Sequence, residues 1–183
     1  MSRKNLEWAI KSIETCAKRN SCQVATPIFE FDDLLWAVDG YECLRTVEEF
    51  DDCNLSEATE DFAKLCKSLF ADEAFQDCKA VELPDYAELE RKIKDFKKDC
   101  KSKSRPLWKV RLAYAIDNDL LFDPELLVAG LKATGEKVGY TAGHHKPLYI
   151  LGEDTQYVLL PCHSQEGELE KGGMKIRPER TWW

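Results

Sequence analysis

Residues 120–161, LLFDPELLVAGLKATGEKVGYTAGHHKPLYILGEDTQYVLLP, hold a helix and three strands in readable order. Asp123 followed by Pro124 marks a helix start. An N-cap carboxylate can accept a free N–H of the first turn, and proline loses nothing where its N–H had no helical partner. Glu125 to Thr134 continue as helix, and Gly135 suits the left-handed backbone that often ends one. Strands are expected at 136–142, 147–151 and 156–161, with Gly152-Glu153-Asp154 as the turn between the last two. Just upstream, 107–116 reads as a strand, Asp117-Asn118-Asp119 as a turn, and Leu120 to Phe122 as a short strand.

The front of the chain follows the same plan. In residues 5–19, Leu6, Ala9, Ile10, Ile13, Cys16 and Ala17 recur at three and four, one apolar stripe of a helix. Strands are expected at 23–31 and 34–38 around an Asp32-Asp33 turn that lacks the usual glycine. A third strand at 41–47 follows the Asp39-Gly40 turn. It sets Tyr41, Cys43 and Arg45 on one face and Leu44 and Thr46 on the other. Helix then strands at 5–47, and helix then strands at 123–161, form a loose echo.

Between the two lies a stretch of different composition. From Glu48 to Asp61 there are seven acids and no base. Phe62, Leu65, Cys66, Leu69 and Phe70 then give a helical stripe, with Ser56 as a candidate cap. Residues 84–100 open with Asp85 and Glu88 in capping-box spacing and run Tyr86, Leu89, Ile93, Phe96, Cys100. A seam that narrow suits packing on one other helix. The expectation is a helical hairpin inserted at 51–105. It would interrupt one α+β domain spanning 1–163, with 164–183 as a polar tail.

Hydrophobic residues at 44% supply a core, so wholesale disorder is excluded. With 26 basic and 34 acidic side chains, net −8, contact with nucleic acid would need a local basic stripe. No apolar run is long enough for a membrane span, and the polar start is unlike a secretory leader. A cytoplasmic protein with no membrane partner is therefore expected. The eight cysteines include no CxxC pair and read as free thiols in a reducing compartment.

Lys4, Lys11 and Lys18 are spaced by seven and share a helix face, with Arg19 beside the last. Such a face can follow a phosphate backbone without reading bases. Glu7 and Glu14, four residues before Lys11 and Lys18, also suit ordinary helix ion pairs. Trp182-Trp183 at the end suits docking on a partner protein or folding back on the domain. His144-His145 and Cys162-His163 could make a small zinc protein. Adjacent strand residues point oppositely, though, so each pair gives one ligand and no site closes. The glycines form no phosphate loop, and the carboxylates have no flanking catalytic motif. No catalytic residue, metal or cofactor is expected.

Two stretches resemble the sliding clamp, the DNA polymerase III beta subunit family. LEWAIKSIETCAKR, ATPIFEF and LLWAVDGYECL are similar to its helix, its "P-I-L" strand, and its "A-T-D-G" turn before a further strand. Val38 stands where that family has threonine. LLFDPELLVAGLKAT, KVGYTA, KPLYIL and YVLLPCHS resemble the closing half of a clamp domain, with Leu160-Pro161-Cys162 at its final "M-P" position. The resemblance implies two helices on antiparallel sheets and a non-catalytic accessory role in DNA replication or repair. It also implies that Lys4, Lys11, Lys18 and Arg19 face double-stranded DNA. A clamp chain repeats the domain. This chain has length for one, so a ring would need further copies or a replication protein as partner. The alternative is an interaction adaptor with this fold and no DNA binding.

Overall fold

The computed structural model describes residues 2–19, 27–50, 55–102, 111–116, 120–143, 145–162 and 174–177. The architecture is α+β. Helices α1 (Arg3–Arg19), α2 (Glu60–Ser68), α3 (Tyr86–Ser102) and α4 (Pro124–Thr134) accompany two antiparallel sheets. In the larger sheet β1 (Ile28–Phe31), β2 (Leu34–Val38) and β3 (Glu42–Thr46) are followed by β9 (Thr155–Leu159), β8 (Leu148–Leu151), β7 (Val138–Thr141) and β4 (Lys79–Glu82). The smaller sheet is β10 (Met174–Arg177), β5 (Arg111–Ala115) and β6 (Leu121–Phe122).

The echo in the sequence has a structural counterpart. α1-β1-β2-β3 and α4-β7-β8-β9 are the same succession, and they meet where β3 pairs antiparallel with β9, Leu44 opposite Tyr157. α1 and α4 pack on each other above that seam.

Alternation along the strands sends side chains to two separate cores. Ile28, Leu35, Ala37, Leu44, Ile150, Tyr157 and Leu159 join Leu6, Ile10 and Ile13 of α1, Leu127 and Leu131 of α4, and Leu89 and Ile93 of α3. Phe29, Trp36, Cys43, Tyr149 and Val158 point the other way, onto Ala63 and Cys66 of α2 and onto Phe70. The narrow seam of α3 therefore packs on α4 and α2 lies across the sheet. The expected helical hairpin does not form. Its helices exist, but α2 found its apolar surface on the sheet and α3 found its own on α4, rather than on each other.

The stretch 51–105 is also more than an appendage. β4 extends the larger sheet by pairing with β7, and the helices on either side of it each fill one core. At the end of the chain, Met174–Arg177 pairs with β5, so the expected tail supplies a strand. Thr59, rather than Ser56, caps α2 by accepting from Phe62 N–H. Asp85 accepts from Ala87 and Glu88 N–H at the start of α3. Asp123, Pro124 and Gly135 bound α4 as their residue types require, Gly135 at φ 74°.

Candidate functional site

α1 turns its apolar stripe fully inward: Leu6, Ala9, Ile10 and Ile13 are buried. Lys4 and Lys11 are exposed on the outward face. Lys18 and Arg19 close the helix, but their side chains lie outside the described residues, as do Trp182 and Trp183. Glu7 pairs with Arg3 at 3.5 Å, one turn before it, rather than with Lys11. α4 offers little to a ligand, because it is wedged between α1, α3 and the sheet, with Leu127, Val128, Ala129, Leu131 and Ala133 buried. Its single lysine is occupied. Lys132 Nζ lies 2.5 Å from Glu90 Oε1 and sits over the Trp8 ring of α1 at 4.2 Å. The cationic face is thus a property of α1 and not of the helix pair.

Beneath the α1–α4 layer lies a group of polar side chains. The Asp39-Gly40 turn after β2 is held by Asp39 Oδ1, which accepts from Tyr41 N–H at 2.8 Å and Glu42 N–H at 2.9 Å. Gly40 takes φ 91°, which explains the glycine in that turn. Glu42 opens β3 with its side chain on the Leu44 face, into the core. Its Oε2 bonds the Tyr157 hydroxyl, which also lies 2.7 Å from the Leu126 carbonyl of α4. Asp39 is 0% and Glu42 3% exposed. Asp39 Oδ2 and Glu42 Oε1 are buried without a hydrogen-bond partner. Cys16, half-buried on α1, completes the group: its Sγ and one oxygen from each carboxylate all lie within 4.8 Å of one another.

Burial pushes both acids up, Glu42 well above the usual carboxylate range and Asp39 less so. The backbone N–H groups of Tyr41 and Glu42 oppose the rise at Asp39. The Asp39 charge raises Glu42 further, and the Asp123 charge at the cap of α4 raises both. The Tyr157 phenol is likewise held well above its ordinary value, by burial and then by Glu42. Among the described residues no cationic side chain pairs with Asp39 or Glu42.

Sequence reading missed this group. Asp39 passed for a turn residue and Glu42 for part of an alternating strand. The signal was there: with Leu44 and Thr46 facing the core, a glutamate two residues earlier faces it too. Cys16 was counted as a small apolar residue of the helix stripe. Of the zinc candidates, His145 is exposed at φ 60° in the turn after β7 and Cys162 is buried. His144 and His163 lie outside the described residues. On the far side of the sheet, the Cys43 and Cys66 thiols share a hydrogen bond. It raises the first further beyond its burial and lowers the second.

Among the described residues, no helix is long and apolar enough to cross a membrane. No protein-family model, curated protein or solved structure matches the chain.

Proposed function

We propose that the chain is a non-catalytic, clamp-like accessory protein of DNA replication or repair that meets the duplex backbone through Lys4, Lys11, Lys18 and Arg19 of α1. The observation that carries this reading is the outward placement of Lys4 and Lys11 on a helix fixed to the core along its other side. Seven residues advance about 10 Å along a helix, so the two charges form a rigid, spaced pair able to contact phosphates without reading bases. The repeated helix-and-three-strands unit, joined across β3 and β9, supports the clamp-like part.

One observation favours the second reading, an interaction adaptor that binds no DNA. The only cation of α4 is taken by Glu90 and Trp8, and the chain carries net −8. Binding of a random-sequence duplex at about 50 and about 200 mM salt separates the two readings. Accessory contact with DNA gives binding at low salt that weakens steeply at high salt and is lost with Lys4→Glu plus Lys11→Glu. No binding at low salt leaves the adaptor, and binding indifferent to that charge reversal refutes contact through α1.

A further inference from the structure

We propose that Cys16, Asp39 and Glu42 form a binding site for a borderline divalent cation, zinc above all, beneath the α1–α4 layer. Three unlike donors from α1, the β2–β3 turn and β3 converge there within 4.8 Å of one another. Independently, each carboxylate uses one oxygen for the protein and leaves the other buried with no partner, Oδ2 on Asp39 and Oε1 on Glu42. A buried carboxylate oxygen without a partner costs folding free energy, and coordination is one chemistry that removes that cost.

The donor set selects the metal. Calcium and magnesium want six or more oxygens, whereas a thiolate with two carboxylates in a small space suits tetrahedral zinc. Zinc–sulfur near 2.3 Å and zinc–oxygen near 2.1 Å place neighbouring donors roughly 3.4–3.6 Å apart, so the three need close by no more than about 1.4 Å from within 4.8 Å. Turn and strand fix the two carboxylates. Cys16, half-buried on α1, is the donor of the three nearest to solvent. The Tyr157 hydroxyl on Glu42 Oε2 and the two N–H groups on Asp39 Oδ1 orient the carboxylates from outside, and Asp123 adds a nearby negative charge. Zinc entering the site displaces the thiol proton of Cys16 and any proton on the carboxyls, which pass to solvent, so apparent affinity rises with pH.

The test uses the full chain, stripped with chelator and titrated with zinc against a chromophoric competitor, then with cobalt(II). One equivalent should bind, and cobalt should give a thiolate-to-metal absorption band in the near ultraviolet. Cys16→Ser should abolish the band and weaken zinc at least about 100-fold, and Glu42→Gln should weaken zinc by a similar factor. Both variants should keep the far-ultraviolet dichroism of the parent. The proposal is overturned if the parent binds no stoichiometric zinc. It is equally overturned if both variants bind as tightly as the parent, which would place the metal on other cysteines or histidines. These readouts are independent of DNA binding.

Discussion

The Tyr157 hydroxyl of β9 and the Glu42 carboxyl group of β3 share a hydrogen bond inside the core, on a face where each strand also presents a leucine and a threonine. The same hydroxyl lies 2.7 Å from the Leu126 carbonyl. A phenol has one proton and cannot donate to two acceptors at full strength. The arrangement is satisfied in the metal-free protein when Glu42 carries a proton and donates it to the phenol oxygen, leaving the phenol proton for Leu126. Burial raises both groups in the direction this requires.

Tyr157→Phe keeps the ring and removes that link. It leaves both Glu42 carboxyl oxygens buried without a partner, while the Leu126 carbonyl keeps its bond within α4. A loss of about 1–3 kcal/mol is expected. Urea unfolding with an unchanged slope would show it as a lower midpoint; an unchanged midpoint would mean that water replaces the hydroxyl.

Glu42→Gln should stabilise the metal-free protein at neutral pH. The folded state raises the Glu42 pKa, so it holds the proton more tightly than the unfolded chain. That contribution is complete below the unfolded value, about 4.3, and is lost as pH rises through the folded one. Parent stability should therefore fall from weakly acidic to alkaline pH, and the glutamine variant should fall less. Asp39, raised in the same direction, keeps part of the slope. Denaturant midpoints across that range, with chelator present, decide it; parallel curves would refute the assignment.

Gly130→Ala improves helix propensity and should nevertheless destabilise. A Cβ there would sit 2.5 Å from Cδ1 and Cε1 of the Tyr157 ring and 3.1 Å from Ile150 Cδ1. The ring is pinned between Glu42 and Leu126 and cannot move aside. A cost of about 1–3 kcal/mol is expected, read as a lower thermal midpoint.

Asp33→Gly should stabilise by about 0.5–1 kcal/mol. Asp32 and Asp33 both have positive φ, 53° and 57°, in the two-residue turn joining β1 to β2. Asp32 pairs with Lys67 of α2, whereas Asp33 is exposed, and a type I′ turn favours glycine at its second central position. Thermal melts would settle it.

Leu89→Ala and Phe70→Ala should each cost several kcal/mol and should add in the double variant, because the two side chains lie in cores on opposite faces of the sheet. Helices paired as a hairpin would instead show coupling between them. A double-mutant cycle by urea unfolding distinguishes the two.

Local chemistry set the elements. The Asp123-Pro124 start and Gly135 end of α4, the stripe of α1 and the alternation in β3 were all legible, because capping and periodicity act within a few residues. What packs on what was not. The seam of α3 is apolar enough for any flat apolar partner, and only the assembled sheet made α4 a better one than α2. Cys16, Asp39 and Glu42 show the same division. Each obeys its local rule as helix, turn or strand residue. Their convergence depends on α1 crossing the end of the β2–β3 turn, a long-range contact that no spacing along the chain records.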